Sequence, residues 1–331
     1  MNILVTGATG FLGRHLLPRL AADGHTLRAL SRDPLAEVKD ATVFGGDILK
    51  PESLAEALDG VEVLVHAAGL VSFDAKDARA MWRVHVEGTE ILLAAAKKAG
   101  VKRVVYISTS GTVAVSEEQD TVATEDSPSP LPIIKAWPYY RSKLFAEQTA
   151  LSHSELGFPV VCLNPSLLLG PGDEPEGSST ESVRRFLDDQ VPASPPGTIS
   201  FVDVRDVAEA IAAALVGGQG GRRYLLSGSN MTFKEYYARL ARIADKRPPM
   251  AALPAVTRRL VSWLPGIEAM TALVGASLSK DELDIACHNW SASSDRAEEE
   301  LGWQPRDPLA TLEDTVFDIR AREGELAPWL R

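Results

Sequence analysis

The sequence of 331 residues is poor in cysteine and lacks a long apolar segment. Cys162 and Cys287 are far apart and have no partner spacing, so they indicate neither a disulfide framework nor a metal site. The six histidines show no His-x-x-x-His spacing either. A membrane span needs about 20 apolar residues. The most apolar stretch, residues 253–278, is interrupted by Arg258, Arg259, Pro265 and Glu268. We therefore expect no membrane span, and we interpret this stretch as an amphipathic cover over a pocket.

Positive charge is also scarce. The chain has 34 lysines and arginines against 45 aspartates and glutamates, which gives a net charge of −11. This balance predicts neither a nucleic-acid surface nor a polyanionic partner. No charged leader with a cleavage site precedes the first apolar run, so a cytoplasmic location is expected. The Gly-x-Ser-x-Gly pattern of a hydrolase is absent as well.

A glycine-rich turn lies near the start of the chain. Residues 2–13 have the sequence NILVTGATGFLG, which predicts a strand, a tight turn and the start of a helix. Gly7 lets the chain turn sharply, Gly10 lets the backbone approach a pyrophosphate, and Gly13 lets the helix pack close to the strand. The helix N-terminus then offers N–H groups and partial positive charge to phosphates. The turn therefore predicts a dinucleotide-binding site.

Apolar runs alternate with helical patterns through the first half of the chain. Strands are predicted at 3–6, 26–30, 42–44, 63–66, 104–108 and 160–163, and helices at 11–22, 51–58, 77–99 and 140–156. This alternation predicts an α/β fold, a doubly wound parallel sheet of the Rossmann type, with its ligand at the carboxyl ends of the strands. We expect a dinucleotide-binding domain in 1–164 and about 199–216. A smaller, interleaved C-terminal α/β substrate-binding region is expected in about 165–198 and 217–331.

Two groups of polar side chains suit proton transfer. Tyr139 and Lys143 lie four residues apart at the start of a predicted helix and so share one face. A phenol has a pKa of about 10, but a nearby ammonium and an oxidised nicotinamide would lower that pKa and make proton exchange with a carbonyl oxygen feasible. Ser108, Thr109 and Ser110 end a predicted strand at the same edge. One of these hydroxyls can donate to a substrate carbonyl, while at least two are expected to cap or turn the strand end.

Together these features resemble the extended short-chain dehydrogenase/reductases, also called the NAD-dependent epimerase/dehydratase family. The resemblance covers nearly the whole chain. Its further motifs are Gly46-Asp47, His66 to Gly69, Asn164-Pro165-Ser166, Gly170 to Gly172, Phe201 to Ala208, and Arg296 with Leu301 to Pro305. Residues 108–113 and 139–147 are most similar to the dihydroflavonol-4-reductase-like branch.

The resemblance implies roles for individual residues. Tyr139 would be the general acid/base, and Lys143 would lower its pKa and hold the ribose. Thr109 matches the catalytic hydroxyl, with Ser108 and Ser110 as alternatives. The adenine amine and ring would meet Asp47 and Ile48, and the nicotinamide would lie near Asn164, Pro165 and Ser166. The full set expected to bind the cofactor is Gly7, Thr9, Gly10, Phe11, Leu12, Gly13, Ser31, Arg32, Asp47, Ile48, Ala67, Ala68, Gly69, Ser108, Tyr139, Lys143, Asn164, Pro165 and Ser166.

One position departs from the family pattern. Where the family often has an asparagine before a Gly-Thr pair, this chain has His85. An asparagine there helps to hold the helix and a proton-relay water in related enzymes. Because His85 can also bond backbone or water, the departure does not predict loss of activity.

Charge at the end of the second strand bears on the cofactor. An acidic residue there would bond the ribose 2′-hydroxyl of NAD, whereas this chain has Ser31 and Arg32. Arg32 can grip a 2′-phosphate and stack on adenine, and Arg14 is placed to assist. Asp33 follows one residue later and could still face a ribose. We therefore expect NADP, with NAD possible.

The sequence thus predicts an NADP-dependent reductase of a ketone or aldehyde, or the reverse alcohol oxidation. The first alternative is a nucleotide-sugar epimerase or dehydratase with tightly held NAD, whose substrate diphosphate would meet Arg184, Arg185, Arg222 and Arg223. The second is a non-catalytic NADP-binding sensor. The expected substrate is a fairly apolar carbonyl compound in a pocket walled by Trp137, Trp263, Leu264, Met270 and Leu273. The resemblance also implies a homodimer through helices 77–99 and 140–156.

Overall fold

The computed structural model describes residues 1–174, 177–257 and 279–324. Its main sheet contains β1 (Asn2–Thr6), β2 (Thr26–Ser31), β3 (Thr42–Gly45), β4 (Val63–His66), β5 (Arg103–Ile107), β6 (Val160–Pro165) and β10 (Arg223–Leu226). The strand order is β10-β6-β5-β4-β1-β2-β3, and all seven strands run parallel. The predicted doubly wound parallel sheet is confirmed.

Helices cover both faces of this sheet. They are α1 (Phe11–Ala22), α2 (Ala55–Leu58), α3 (Ala78–Trp82), α4 (Gly88–Ala99), α6 (Pro138–Glu155) and α8 (Val204–Ala214), and the short α5 (Leu131–Ile134) lies in the loop before α6. The predicted helix 51–58 begins as a 3-10 turn, Pro51–Ser53. The predicted helix 77–99 is interrupted by a π-helical turn, Arg83–Glu87. Such turns are often found at functional sites.

The strand β1 explains why helices pack on both sides. Ile3 and Val5 pack with α1 and α8 on one face, whereas Leu4 packs with other apolar residues on the opposite face. All three side chains are fully buried. Because successive strand residues face opposite sides, an uninterrupted apolar run requires cover on both faces. The backbone at the carboxyl ends of the strands is left to form the site.

A second, smaller core lies beside the sheet. Its three-stranded sheet has the order β11-β9-β7, from β7 (Leu167–Leu169), β9 (Thr198–Asp203) and β11 (Ser229–Thr232). β8 (Ala193–Ser194) pairs with β12 (Ala251–Ala252). The helices of this part are α7 (Ser178–Leu187), α9 (Phe233–Ala244), α10 (Lys280–Ala286) and α12 (Pro308–Arg322), whereas α11 (Asp295–Leu301) packs on the main sheet through Ala297. No helix within the described ranges is long and apolar enough to cross a membrane.

The two cores are interleaved along the chain. β10 pairs with β6 in the main sheet, although residues 223–226 were expected in the substrate-binding region. β9 lies in the small sheet, although residues 199–203 were expected in the dinucleotide-binding domain. α8, which follows β9 directly, packs on the main sheet as expected. The assignment of the smaller part to substrate binding stays a prediction.

Candidate active site

A cavity of about 710 Å³ opens at the carboxyl edge of the main sheet. It extends from the glycine-rich turn after β1 to the start of α6 and on to the smaller core. One cavity therefore brings the glycine turn, the hydroxyl-bearing strand end and the Tyr–Lys pair together. The residues from the predicted site that line it are Gly7, Gly10, Phe11, Leu12, Ala67, Gly69, Ser108, Thr109, Ser110, Tyr139, Lys143, Pro165 and Ser166.

Each of the three positions in the turn favours glycine for a different structural reason. Gly7 has φ +73°, and a Cβ there would lie 2.7 Å from the backbone of Ala67. At Gly13 a Cβ would lie 2.4 Å from the carbonyl oxygen of Ala8. Both positions are thus restricted by packing within the protein. Gly10 differs, because a Cβ there would meet only the Gly7 carbonyl oxygen, at 3.3 Å. The protein leaves room at Gly10 for a ligand to approach the backbone.

The polar groups around this turn fit a dinucleotide. α1 begins directly after Gly10 and has no side-chain cap, so its first N–H groups can bind phosphate oxygens. Ser166 lines the same cavity, and its buried hydroxyl oxygen has no hydrogen-bond partner within the described residues. A buried polar atom without a partner is costly, which suits a site that a polar ligand completes. The residues present therefore fit a nicotinamide dinucleotide.

Strand register brings the predicted adenosine contacts to one edge. Thr6 pairs with Leu30, and Ser31 pairs with Gly45, so the residues that follow β1, β2 and β3 are neighbours. Arg32 is exposed there. The carboxylate of Asp33 instead accepts the N–H of Leu35 (2.9 Å) in a local turn. Arg32 is thus the more available of the two charges at the end of β2.

Several residues expected at the cofactor lie outside the cavity lining: Thr9, Gly13, Ser31, Arg32, Asp47, Ile48, Ala68 and Asn164. The Asp47 carboxylate accepts the N–H of Leu49 (3.0 Å), which leaves its second oxygen available. Asn164 is fully buried, and its amide donates to the Thr109 carbonyl oxygen (3.1 Å). Asn164 therefore supports the strand end from behind, although the sequence placed it near the nicotinamide.

Tyr139 and Lys143 occupy the first turns of α6, which begins at Pro138. Burial raises the pKa of Tyr139 to about 12 and lowers the pKa of Lys143 to about 8. The Lys143 ammonium donates to the Tyr106 hydroxyl (3.1 Å) and to the Ile107 carbonyl oxygen (2.7 Å). The protein's own groups thus keep the phenol protonated at neutral pH. The expected lowering of its pKa by Lys143 is not produced by these groups alone.

The three hydroxyls at the strand end face different partners. Ser108 donates its hydroxyl to the buried carboxylate of Glu147. Thr109 accepts the N–H of Gly111 (3.3 Å), so its own O–H can still donate into the cavity that it lines. Ser110 lines the cavity as well. Thr109 and Ser110 therefore fit a role towards substrate better than Ser108 does.

His85 joins the pocket wall to the helix that carries Tyr139. The N–H of Leu70 donates to His85 Nε2 (3.0 Å), so the ring proton is on Nδ1. Nδ1 then donates to the Ser142 hydroxyl (2.8 Å), which donates to the Tyr139 carbonyl oxygen (2.8 Å). Burial, reinforced by the charge of Lys143, lowers the pKa of His85 to about 3. His85 is therefore a neutral clamp with both ring nitrogens occupied.

Two residues that support the site received no role from the sequence. Tyr106 is buried, and its hydroxyl oxygen accepts a hydrogen bond from the Lys143 ammonium. Glu147 is fully buried one helical turn beyond Lys143. The regular spacing of residues 139, 143 and 147 along one helix face is a signal that could have identified Glu147. Nothing comparable in the sequence marks Tyr106.

The part of the cavity beyond Tyr139 is largely apolar. Its walls include Val71, Phe73, Tyr140, Ile285 and Trp290. The predicted wall residue Trp137 is 1% exposed and packs behind this surface against Tyr140 and Trp290. Trp137 is thus a core residue and not a wall of the cavity. The other expected walls, Trp263, Leu264, Met270 and Leu273, lie outside the described residues.

The described parts of the chain contain no set of metal-binding side chains. No group of three or more His, Cys, Asp or Glu side chains there could hold a metal ion. Cys162 and Cys287 are both buried and are not joined in a disulfide.

Comparison with known proteins agrees with the geometry of the site. Residues 3–226 match the model of the NAD-dependent epimerase/dehydratase family. The chain belongs to this family. It is accordingly an NAD(P)-dependent oxidoreductase of the extended short-chain dehydrogenase/reductase type. The resemblance inferred from the sequence is confirmed.

Individual relatives cover nearly the whole chain. A Synechocystis protein assigned as a dihydroflavonol 4-reductase is 32% identical over 94% of this chain and 92% of its own. A 4-hydroxy-2-methyl-3-oxo-4-farnesyl-3,4-dihydroquinoline-1-oxide ketoreductase from Stigmatella aurantiaca is 30% identical over 92% of each chain. The structure of a dTDP-glucose 4,6-dehydratase from Streptomyces venezuelae, with NAD bound, has a TM-score of 0.76 and 25% identity, and it covers 99% of both chains.

Proposed function

We propose that the protein is an NADP-dependent reductase of a ketone or aldehyde, with the reverse alcohol oxidation as the same reaction. The observation that carries this proposal is the shared cavity, in which the glycine turn, Thr109 and Tyr139 lie beside an apolar compartment. When bound, the cofactor supplies or accepts a hydride. The chain's own residues hold the substrate oxygen and exchange its proton.

Tyr139 is the proposed general acid. With a pKa raised to about 12, its phenol is protonated at neutral pH and can donate to a carbonyl oxygen that gains negative charge. Thr109 is the proposed second donor to that oxygen, because its hydroxyl hydrogen is not used by the Gly111 contact. Lys143 supplies positive charge to the phenolate that remains, provided that the ammonium is protonated.

The charges around the cavity favour an apolar substrate over a nucleotide sugar. Each of the four arginines considered for a diphosphate forms an ion pair: Arg184 with Glu323, Arg185 with Glu181 and Glu282, Arg222 with Glu300, and Arg223 with Glu147. Of these four, Arg185 is the one that lines the cavity. Its charge is already balanced by these two carboxylates. This supports a neutral, largely apolar carbonyl compound.

The arrangement at the end of β2 supports NADP. Arg32 is exposed beside the turn after β1, whereas Asp33 is engaged with the backbone of Leu35. A guanidinium can pair with a 2′-phosphate through charge-assisted hydrogen bonds. One oxygen of the Asp33 carboxylate is thus used by the local turn. NAD remains the alternative cofactor.

The first experiment measures nicotinamide absorbance with purified protein, NADPH or NADH, and a panel of ketones, aldehydes and nucleotide sugars. NADPH oxidation by a carbonyl compound that is abolished in Tyr139→Phe is expected. Tyr236→Phe serves as the control, because Tyr236 is a buried tyrosine that lies outside the cavity lining. It should retain activity.

Other outcomes would point elsewhere. If no net NADPH oxidation occurs and NAD is released on denaturation, the epimerase or dehydratase alternative replaces the reductase. If Tyr139→Phe supports the cellular role as well as the wild type does, a non-catalytic NADP-binding sensor is favoured instead.

A further inference from the structure

A buried carboxylate lies behind the proposed catalytic groups. Glu147 is 0% exposed, and its Oε2 accepts hydrogen bonds from the hydroxyls of Ser108 and Thr112 and from the amide of Asn164. The Thr112 and Asn164 contacts are 2.7 and 2.6 Å long. Its other oxygen, Oε1, forms an ion pair with Arg223 (3.1 Å). These partners come from the end of β5, the turn after it, β6 and β10.

The partners of Glu147 surround Thr109. Ser108 precedes it, and Thr112 closes the 3-10 turn of residues 110–112 that Thr109 caps. The amide of Asn164 donates to the Thr109 carbonyl oxygen (3.1 Å) as well as to the carboxylate. One carboxylate thus holds both sides of the segment that presents the Thr109 hydroxyl to the cavity. Removing it would leave that segment joined to β6 by fewer bonds, among them the one from the Asn164 amide to the Thr109 carbonyl oxygen.

A contribution to stability does not by itself explain why Glu147 and Arg223 form a buried ion pair. Desolvating a carboxylate and a guanidinium costs several kcal/mol per ion, and well-packed apolar replacements of a buried pair are often neutral or stabilising. A positioning role gives this costly arrangement a use, because several of its hydrogen bonds converge on the strand end at Thr109. We propose that Glu147 is a positioning residue that holds Thr109 for catalysis. This inference rests on the proposed reductase function.

The charge of Glu147 also acts on Lys143. The titratable groups that face it are Lys143 from α6, Tyr106 from β5, Cys162 from β6 and Arg223 from β10. Burial and Glu147 both raise the pKa of Tyr106 and Cys162, so these two stay neutral. Burial lowers the pKa of Lys143, and Glu147 opposes that effect. Without the carboxylate, Lys143 would lose its proton at a lower pH.

The test compares Glu147→Gln and Glu147→Asp with the wild type over a pH series. In Glu147→Gln, kcat should fall at least tenfold, the KM for NADPH should change by less than threefold, and the alkaline limb of kcat should move down by about one pH unit. Glu147→Asp keeps the charge but is shorter. It should lose kcat while its alkaline limb stays near that of the wild type.

Glu125→Gln is the matched control. Glu125 is 8% exposed, accepts the N–H of Leu225 (2.8 Å) and faces Arg296 (3.8 Å), so it is also a buried glutamate beside an arginine. It lies outside the cavity lining. Its loss should lower the melting temperature without changing kcat or the pH profile. If Glu147 had only a structural role, Glu147→Gln would likewise lower the melting temperature and leave kcat and the pH profile unchanged.

If Glu147→Gln does not fold, Thr112→Val tests the same network from the other side, because it removes a hydroxyl that lies 2.7 Å from the carboxylate and 3.0 Å from the Thr109 carbonyl oxygen. A fall in kcat of at least threefold with unchanged KM for NADPH is expected. Unchanged kcat in folded Glu147→Gln or Thr112→Val, beside an active wild type, would overturn the role of Glu147 alone. An inactive wild type would refute the reductase function, and this role with it.

Discussion

Replacing His85 by alanine tests the link between the pocket wall and the catalytic helix. The substitution removes the acceptor for the part-buried N–H of Leu70 and the donor to the buried hydroxyl of Ser142. Ser142 then has no partner that fixes the orientation in which it donates to the Tyr139 carbonyl oxygen. We expect the first turn of α6 and the loop at residue 70 to move relative to each other.

The size of the effect follows from these two contacts. A buried donor left unpaired costs about 1–3 kcal/mol, and a lost net hydrogen bond costs about 1 kcal/mol. The sum is about 2–4 kcal/mol. With an unfolding entropy of about 2.1 cal/mol/K for each residue, the 331 residues give about 0.7 kcal/mol/K. The melting temperature should therefore fall by about 3–6 °C. A catalytic tyrosine displaced by about 1 Å should reduce kcat/KM by up to about 100-fold.

The assay measures kcat/KM for NADPH oxidation and the melting temperature in parallel. His153→Ala is the matched control, because His153 is also buried, lies on α6, the helix that carries Tyr139, and forms its hydrogen bond to Glu90 (3.0 Å), away from the cavity. It should lose stability and keep its activity. If His85→Ala loses stability but keeps kcat/KM within twofold of the wild type, the proposed coupling is wrong.

Three further predictions concern the cofactor, the fold and pH. Arg32→Ala should raise the KM for NADPH about 30-fold, from about 2 kcal/mol of lost charge-assisted bonding, and leave NADH unchanged; equal effects on both cofactors would contradict the role of Arg32. Gly13→Ala should abolish NADPH binding measured by fluorescence, since its Cβ would lie 2.4 Å from the Ala8 oxygen; a Cβ at Gly24 would meet no atom within 4 Å, so Gly24→Ala, although strained at φ +78°, should bind NADPH normally. For His85, a folded pKa of about 3 lies below the ordinary 6.5, so its stabilisation is full above pH 6.5 and decreases as the pH falls towards 3. Thermal unfolding at pH 5 should show about 2 kcal/mol of this loss, and the pH dependence should be shallower in His85→Gln.

The sequence predicted the order of elements because their signals are local. The apolar run of β1, the glycines at 7, 10 and 13 and the apolar period of α1 all lie within 22 residues of the N-terminus. The same is true of Tyr139 and Lys143, whose spacing alone places them on one helix face. These parts of the site could be predicted without knowing how distant segments pack.

Other features depend on residues that are far apart in the chain. The partition of the chain was predicted incorrectly at β9 and β10, because a four- or six-residue apolar strand does not reveal which sheet it joins. The π-helical turn around His85 was missed because its signal is a widened backbone within an otherwise helical pattern. The hydrogen bond from the Asn164 amide on β6 to the Thr109 carbonyl oxygen after β5 could not be predicted either, because it joins distant segments; a place near the nicotinamide stays a prediction for Asn164.

The sequence by itself determined the family, the parallel sheet and the pair of residues proposed for proton transfer, since each follows from short motifs and their spacing. Only the tertiary structure decided which of the strand-end hydroxyls donates to a buried carboxylate, which arginines form ion pairs, and which partners His85 and Glu147 bind. Hydrogen bonds and ion pairs join side chains from different strands and helices. Their geometry exists only after the strands have paired and the helices have packed, so no local pattern encodes it directly.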